Sequence, residues 1–404
     1  MHPIVILGSG LAGYNVAREL RKLDQTTPLT IISADSGSFY SKPMLSSAFG
    51  SGKTPQSIAM SSAEQMAAQL NATVRAKTSV TAIDTAAHTV SINGEILAYS
   101  KLVIALGAEQ IRLPIEGNAA GAVMTVNDLD EYANFCAALK EQSTVALIGA
   151  GLIGSEFAND LTSGGHTVHV IDIAAWPLAR LLPQESGALL QQKLAALGVT
   201  WHLGTSVTSI DQAGDQLKVT LANATVLDAN VVLSAVGLRP RTMLVQAAGI
   251  QTRRGIVINR LHETSAPDVY ALGDCIEIED LLLPYVMPLM TSARALAATL
   301  AGKATPVSYP AMPVLVKTPA WPTIVSPPAA GANGAWEITS DADGLKALFK
   351  AADGKLLGFA LHGKATAERG ALTKELPPVL AQPWATSPPA RGGNLCACLG
   401  PAAA

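Results

Sequence analysis

The sequence has 404 residues, of which 49% are hydrophobic and 15% charged, and its formal net charge is −3. A chain of this length suggests two or three domains. Its charge gives no reason to expect nucleic acid, because no Lys/Arg-rich run appears, and its apolar runs are strand-length and interrupted by glycine, so no membrane span is predicted.

The N-terminal segment Pro3–Gly13 has the pattern of a strand, a tight turn and a helix, with glycines at positions 8, 10 and 13. The first glycine makes the turn, the second lets the backbone approach a pyrophosphate, and the third lets helix and strand pack closely. The next predicted strand ends at Asp35, where a carboxylate suits a ribose. Only two residues precede Pro3, so we expect no conventional signal peptide and a cytoplasmic location.

The segment Ser38–Ser46 is predicted to be a loop that enters a short helix at Pro43, since proline suits the first helical position. Lys42 is its one charge. The strands predicted after it are Ala72–Ala82, His88–Ile92 and Lys101–Leu106. The chain then passes Gly107 and crosses into a second unit through Arg112–Gly117.

The second unit repeats the fingerprint over Val145–Asp160, with glycines at positions 149, 151 and 154. A following strand ends at Asp172, about 20 residues beyond these glycines, where an acid meets the adenosine ribose. Because a carboxylate there repels a 2′-phosphate, the sequence favours NADH over NADPH. Two dinucleotide units in one chain are typical of a flavin beside a nicotinamide.

The rest of the second unit is a predicted helix at Ser186–Leu197 and strands at Val199–Leu203, Leu217–Leu221 and Val231–Val236, ending in the loop Gly237–Pro240. The chain then returns to the first unit with a strand at Gly255–Asn259. A further apolar strand delivers Gly273 and Asp274 to its carboxyl end, the edge where ligands bind in open α/β sheets. We predict that a helix from Pro288 to Leu300 points its N-terminus at the same ligand.

From Pro306 the composition shifts to proline-rich sequence. Short strands at Gly334–Thr339 and Lys355–His362, joined by a helix at Leu345–Ala351, predict a small α+β module. The residues from Pro383 to Ala404 lack periodicity and are expected to be a disordered tail, with Cys396 and Cys398 unpaired. Cys136 is expected in the core, His166 and His169 are expected to pack rather than bind a ligand, and no metal is predicted.

The predicted fold class is therefore α/β, with two Rossmann-like dinucleotide-binding domains and a small α+β C-terminal domain. The second dinucleotide domain is inserted into the first. The predicted boundaries are 1–111 and 240–310 for the first dinucleotide-binding domain, 112–239 for the second, 311–382 for the C-terminal domain and 383–404 for the tail.

The order of these motifs resembles the two-dinucleotide-fold flavoprotein disulfide reductase superfamily. Members of that superfamily carry a redox cysteine near the segment that contains Lys42, but this sequence has no cysteine between Met1 and Phe135. Electrons must then leave the flavin directly. Within the superfamily, four blocks resemble the bacterial NADH:rubredoxin reductase family: Phe39–Leu45, Gly149–Asp160, Leu283–Pro288 and Tyr309–Pro319.

This resemblance implies FAD as the cofactor of the domain 1–111 and 240–310 and NADH as that of the domain 112–239. It also implies rubredoxin, a small acidic iron protein, as the electron acceptor. It places Lys42 and Glu156 as a catalytic pair near the flavin N5, Asp274 on the ribityl or pyrophosphate side of FAD, and Lys317 beside the isoalloxazine. The cofactor-binding positions it implies are Ser9, Gly10, Leu11, Ala12, Gly13, Ser33, Ala34, Asp35, Lys42, Val80, Gly107, Gly149, Gly151, Gly154, Glu156, Asp172, Gly237, Asp274, Val286 and Lys317.

Two other functions stay open at this point: a ferredoxin reductase that serves an oxygenase, and a flavin-binding redox-sensing interaction protein. The downstream acceptor, either an alkane hydroxylase or an oxygen or peroxide detoxifying system, is also open, as is the choice between monomer and dimer. An acidic rubredoxin favours a basic docking surface, for which the candidates are Arg294, Lys303 and Lys317.

Overall fold

The computed structural model describes residues 1–382, so the predicted tail with Cys396 and Cys398 lies outside the described residues. A 3₁₀-helix at Lys42–Ser47 begins beside Pro43, as predicted, and the single predicted strand Ala72–Ala82 is divided in two. The helices and strands of the first part are β1 Ile4–Leu7, α1 Leu11–Leu23, β2 Leu29–Ile32, α2 Pro55–Ile58, α3 Ala63–Leu70, β3 Thr73–Arg75, β4 Val80–Asp84, β5 Thr89–Ile92, β6 Glu95–Ala98, β7 Lys101–Ile104 and β8 Ala108–Gln110.

The middle part contains the second glycine turn, between β9 and α5. A short 3₁₀-helix at Ala120–Ala122 precedes it. The elements are α4 Leu129–Ala138, β9 Thr144–Ile148, α5 Leu152–Ser163, β10 Thr167–Asp172, α6 Gln184–Leu197, β11 Thr200–Leu203, β12 Val207–Ala213, β13 Gln216–Leu221, β14 Val226–Ala229, β15 Val231–Ser234 and β16 Leu238–Pro240.

The last part begins with a return to the first unit and ends in a separate sheet, followed by a 3₁₀-helix at Lys364–Glu368. The elements are α7 Met243–Ala247, β17 Ile256–Ile258, β18 Val269–Ala271, β19 Ile276–Ile278, α8 Val286–Leu300, β20 Val314–Val316, β21 Thr323–Ser326, β22 Ala335–Ser340, β23 Gly344–Lys350, β24 Leu356–Gly363 and α9 Arg369–Glu375. Among the described residues, no helix is both long and apolar enough to cross a membrane.

A five-stranded parallel sheet, in the order β18-β7-β1-β2-β3, forms the centre of the first unit. All four residues of β1 are buried, as expected for a strand covered on both faces. Strand β18 follows the middle part in the sequence, so the chain returns to complete this sheet. The β1–α1 turn and the residues that follow β18 therefore lie together at the carboxyl edge of the sheet.

A four-stranded parallel sheet, in the order β11-β10-β9-β15, forms the centre of the middle unit. An antiparallel sheet of β12, β13 and β14 covers it through a common apolar core. Strands β8 and β16 pair antiparallel, so the two chain crossings between the units run side by side. These sheet memberships support an inserted second domain, while the exact boundaries 1–111, 112–239, 240–310 and 311–382 stay a prediction.

The C-terminal unit is a five-stranded antiparallel sheet, β20-β21-β24-β23-β22. The predicted helix Leu345–Ala351 is wrong, because those residues form most of strand β23. Leu345, Ala347 and Phe349 point to the core in strict alternation, and β22 and β24 pair on either side. Helix-forming residues are therefore held in a strand because the neighbouring strands supply both hydrogen bonds and a buried face.

Candidate functional site

The turn between β1 and α1 admits only glycine at its first and third positions. Gly8 has a φ of +112°, and a Cβ there would lie 2.2 Å from the carbonyl oxygen of Ala105. A Cβ on Gly13 would lie 1.9 Å from the carbonyl oxygen of Gly8, whereas a Cβ on Gly10 would meet nothing within 4 Å. The middle glycine therefore keeps open the space in front of α1.

The N-terminus of α1 and the end of β2 fit an adenosine pyrophosphate. No side chain caps α1 at Gly10, and its first turn carries no acid, so its N–H groups and positive dipole end suit phosphate. The Asp35 carboxylate accepts hydrogen bonds from Ser33 Oγ at 2.5 Å, Gly37 N at 2.8 Å and Ser9 Oγ at 3.1 Å. The structure thus brings together Ser9, Ser33 and Asp35 from the predicted set. Buried Ala12, half-buried Leu11 and exposed Ala34 lie next to them in the chain.

The second turn, between β9 and α5, has the same construction. Gly149 has a φ of +107° with a Cβ position 2.7 Å from the Ala235 carbonyl oxygen, and a Cβ on Gly154 would lie 1.9 Å from the Gly149 oxygen. Gly151 starts α5 with no side-chain cap and open space at its Cβ position. This helix end is a second site suited to a pyrophosphate.

Asp172 is tied directly to this second turn. Its Oδ2 accepts the Ala150 N–H at 2.5 Å, and its Oδ1 accepts the Ala174 N–H at 2.7 Å. The four residues after it, Ile173 to Trp176, carry no positive charge. A carboxylate followed by four residues without positive charge suits a ribose with a free 2′-OH, because it would repel a 2′-phosphate.

Gly107 and Gly237 lie where the chain crosses between the units. Their φ values are +67° and +118°, in the left-handed region that favours glycine. The Gly107 carbonyl accepts the N–H of Arg241 at 3.1 Å, and the Gly237 carbonyl accepts the N–H of Ile111 at 3.1 Å. Each glycine is therefore bonded to the opposite crossing segment.

Asp274 and Lys42 influence each other beside the first turn. Gly273 has a φ of +86°, and a Cβ there would lie 2.8 Å from the Cβ of Ala12, so this loop packs on the start of α1. Burial raises the pKa of Asp274, and the Lys42 charge opposes that shift. Burial lowers the pKa of Lys42, and the Asp274 charge opposes it. The two groups are therefore close enough at this sheet edge for each to act on the other's charge.

The predicted pair of Lys42 with Glu156 is not formed, because Glu156 pairs with Lys317. Glu156 is only 1% exposed. Its Oε2 contacts the Lys317 ammonium and accepts a hydrogen bond from Ser46 Oγ at 2.5 Å, and its Oε1 accepts the Lys317 backbone N–H at 3.0 Å. Strand β20 delivers Lys317 to this carboxylate, whereas Lys42 lies toward Asp274. The catalytic roles of Lys42 and Glu156 stay predictions.

Three site residues were missed by sequence reasoning: Ser46, Asn159 and Asp160. Ser46 Oγ lies 3.1 Å from the Lys317 ammonium nitrogen. Asn159 Oδ1 accepts the N–H of Ala320 at 3.1 Å, and the Asp160 carboxylate accepts two N–H groups near Ser46. A signal was present, since polar residues at spacings of three and four beyond Glu156 share its helix face.

The remaining predicted contacts are apolar. Val80, in β4, is half-buried and packs against the core of the first unit. Val286 is the first residue of α8, whose N-terminus has no side-chain cap and no acid in its first turn. Its side chain is 39% exposed, so it is available to a ligand at this helix end.

Four cysteines and histidines of the described residues, Cys136, Cys275, His166 and His169, are packing groups. Cys275 is buried, donates toward the Leu272 carbonyl oxygen at 3.4 Å, and has its pKa raised to about 12 by burial. Cys136 is half-buried against the middle core, as predicted. His166 packs on Phe49, and His169 stacks on a neighbouring histidine. Within residues 1–382, no group of three or more His, Cys, Asp or Glu side chains could hold a metal ion.

Two glycine turns with open helix N-termini, each followed by a ribose-directed acid, define an oxidoreductase of the two-dinucleotide class. The chain belongs to the pyridine nucleotide-disulphide oxidoreductase family, whose model matches residues 2–297. A second model, described as the rubredoxin binding C-terminal domain, matches residues 306–376. The predicted fold class and family are thereby confirmed.

Two relatives cover nearly the whole chain. The rubredoxin-NAD(+) reductase of Alcanivorax borkumensis is 48% identical over 94% of this chain and 100% of its own length. The rubredoxin-NAD(+) reductase of Acinetobacter baylyi is 46% identical over 94% of this chain and 99% of its own length. A crystal structure of a ferredoxin reductase from Rhodopseudomonas palustris superposes with a TM-score of 0.84 at 26% identity, covering 93% of this chain and 96% of that one.

Proposed function

We propose that this chain is an FAD-dependent NADH:rubredoxin oxidoreductase. The observation that carries the proposal is the combination of two dinucleotide cradles with a C-terminal segment that matches a rubredoxin-binding domain. FAD supplies the chemistry that joins a two-electron donor to a one-electron iron acceptor. The first 135 residues contain no cysteine, so no thiol of that segment stands between the flavin and the acceptor.

The protein's own groups bind and orient the cofactors. The first cradle, with Ser9, Ser33 and Asp35, would hold the adenosine half of FAD, and Gly151 with Asp172 would hold NADH. Lys42 and Asp274 lie beyond the first cradle at the same sheet edge, which suits the ribityl and ring side of FAD. No proton donor is required for hydride transfer, so these residues act by positioning and by charge.

Rubredoxin would dock where α8 begins and β20 ends. The side chains of Val286, Met287 and Leu315 are 39%, 59% and 54% exposed, although all three are apolar. Weak redox encounters use small surfaces of this kind. Arg294 lies about 12 Å along α8 from its N-terminus, whereas Lys303 follows the far end, about 25 Å away. Of the predicted basic candidates, Arg294 is therefore favoured over Lys303, and Lys317 is held by Glu156.

Turnover with two acceptors tests the proposal. The purified protein is expected to be yellow, to be bleached by NADH but not by NADPH, and to reduce rubredoxin. Ferredoxin reduction is the second candidate function, favoured by the similarity to the Rhodopseudomonas palustris enzyme. A higher kcat/KM with a [2Fe–2S] ferredoxin than with rubredoxin would support that candidate, and slow bleaching by NADH would support a redox-sensing interaction protein.

The cytoplasm is the proposed location. Cys136 and Cys275, the two cysteines among the described residues, are both free thiols. Free thiols are typical of a reducing compartment, and NADH is available there. Fractionation of cells with an antibody against the chain would test this assignment.

A further inference from the structure

One face of α5 binds two other parts of the molecule. Glu156, Asn159 and Asp160 are buried on this face at spacings of three and four residues. Glu156 and Asn159 bind the segment Lys317–Ala320, which follows β20, and Asp160 binds the turn Phe49–Gly50, which follows the first 3₁₀-helix. Because α5 also begins at the second cradle, one rigid helix connects that cradle to both segments.

Asp160 is an unusual member of this group because it is a buried carboxylate that forms no direct ion pair within residues 1–382. It is 7% exposed, and the Lys317 charge acts on it from beyond ion-pair distance. Its Oδ2 accepts the Phe49 N–H at 2.9 Å, and its Oδ1 accepts the Gly50 N–H at 3.1 Å. Burial raises the pKa of Asp160 to about 6, and the two backbone hydrogen bonds oppose that shift. The hydrogen bonds must offset a desolvation cost that an uncharged residue would not carry.

The turn Phe49–Gly50 is also seated on α5 by its shape. A Cβ on Gly50 would lie 2.7 Å from the backbone oxygen of Asp160 and 2.9 Å from its Oδ1, so only glycine allows this approach. The Phe49 ring lies over Gly164, where a Cβ would be 2.8 Å from the ring, and its centroid is 4.9 Å from that of His166. Hydrogen bonds and close packing therefore hold the turn in one place.

The turn is linked through the chain to Ser46 and Lys42. Both belong to the 3₁₀-helix Lys42–Ser47, which ends two residues before Phe49. Ser46 Oγ donates to Glu156 Oε2 at 2.5 Å and lies 3.1 Å from the Lys317 ammonium nitrogen. A shift of the turn would therefore move Lys42 and loosen the contact of Ser46 with the buried ion pair.

We propose that Asp160 is a positioning residue for electron transfer from NADH: it clamps the turn Phe49–Gly50 on α5 and so fixes Lys42 and Ser46 relative to Glu156 and Lys317. The inference rests on the proposed function. A misplacement of about 1 Å at a reacting centre can lower a rate by roughly 100-fold, which is why a residue that contacts no cofactor can control the reaction.

The test combines amide exchange with transient kinetics on the full chain. Asp160→Asn keeps one carbonyl acceptor and removes the charge, and Gly50→Ala pushes the turn away from the opposite side. Both variants are expected to exchange the Phe49 and Gly50 amide protons faster than the wild type, with or without FAD. Both should lower the rate of flavin bleaching by NADH roughly 10- to 100-fold, with the Kd for NADH unchanged because Gly151 and Asp172 are intact.

Asp24→Asn is the matched control. The Asp24 carboxylate also accepts two backbone N–H groups, from Thr26 and Thr27, but at the far end of α1. This variant should bleach at the wild-type rate. Thermal unfolding of each variant shows that it is folded, and the two variants approach the contact from opposite sides, so one folded variant suffices.

A wild-type bleaching rate in a folded variant of either kind, with faster exchange at Phe49 and Gly50, would overturn the positioning role. Unchanged exchange in a folded variant of either kind would overturn the clamp itself. A wild-type protein that binds FAD but is not bleached by NADH would instead overturn the proposed function. The exchange measurement needs no cofactor, so failure of the Asp160 clamp can be told apart from failure of the proposed function.

Discussion

Lys317 gives both its backbone amide and its ammonium group to the carboxylate of Glu156, which precedes it by 161 residues. The carboxylate is 1% exposed at its side chain and the lysine 28%. Glu156 belongs to the helix of the second cradle, and Lys317 to the segment that follows β20. The middle and C-terminal units are therefore joined by a buried ion pair, which lies beside Ser46 of the first unit.

Removal of Lys317 should cost more than removal of both partners. Lys317→Met leaves Glu156 buried without its counter-ion, and we expect the free energy of unfolding to fall by about 3 kcal/mol. The double variant Glu156→Gln/Lys317→Met should recover most of that loss.

Urea denaturation of the single and double variants measures the coupling between the two residues. Lys346→Met, which breaks an exposed pair with Glu368, is the control and should cost less than about 1 kcal/mol. Additive losses in the double variant would contradict the coupling.

His262 should make stability depend on pH. It is fully buried, both ring nitrogens lack a hydrogen-bond partner, and burial lowers its pKa from 6.5 to about 4. The unfolded chain therefore binds one more proton between pH 4 and pH 6.5, so the stability due to this group is complete above pH 6.5 and falls as the pH drops toward 4. The full loss is on the order of 3 kcal/mol.

His262→Leu should flatten the stability profile in this window. Urea midpoints measured at several pH values between 4 and 7 would show the change. His362 has its pKa lowered to about 4 by burial, so part of the slope should persist in the variant. Asp160 acts in the opposite direction, because a raised carboxyl pKa makes stability fall as the pH rises from about 4 to about 6. A profile identical to that of the wild type would refute the assignment to His262.

The features that local sequence could predict are those with a fixed spacing. The glycines of both turns were predicted because their roles lie within six residues of one another, and the structure places each close contact where it was expected. Strand β23 was predicted as a helix because Leu, Lys and Ala favour helices locally. The flanking strands that make it part of a sheet lie outside that window.

The partner of Glu156 could not be read from local pattern. The family resemblance places both Lys42 and Lys317 near the flavin, and which of them pairs with Glu156 depends on where β20 ends relative to α5. The hydrogen bonds of Ser46 and Asp160 join residues 110 and 111 positions apart. Contacts at that separation leave no periodic pattern in the sequence, so only the arrangement of the three units in the folded structure shows them.

The preference for NADH should depend on Asp172. Its carboxylate accepts the N–H of Ala150 in the cradle turn, and none of the four residues that follow Asp172 carries a positive charge. Asp172→Ala would remove a hydrogen bond between a charged group and the ribose, for which we expect a 10- to 100-fold rise in KM for NADH, corresponding to about 1.5–3 kcal/mol. KM for NADPH should rise less, because the repulsion of the 2′-phosphate is removed at the same time.

Steady-state kinetics with both nucleotides and ferricyanide measure this preference without rubredoxin. Asp211→Ala removes an acid that accepts a backbone N–H in the antiparallel sheet of the same unit and is the control. An equal rise of KM for the two nucleotides would show that Asp172 supports the turn but does not select the cofactor.

Rubredoxin docking should depend on Arg294 and on salt. Arg294 is exposed on α8, on the helix whose N-terminus carries the exposed apolar residues Val286 and Met287. Charges at the rim of an interface mainly change the association rate and its salt dependence. We expect Arg294→Glu to raise KM for rubredoxin roughly 5- to 10-fold at low salt and to leave turnover with ferricyanide unchanged. Lys218→Glu, on the antiparallel sheet of the middle unit, is the control.

Turnover with rubredoxin should fall as the salt concentration rises, because salt screens the charges that guide the encounter. Turnover with ferricyanide should not change. An equal response of the two acceptors to salt would exclude electrostatic docking at this surface.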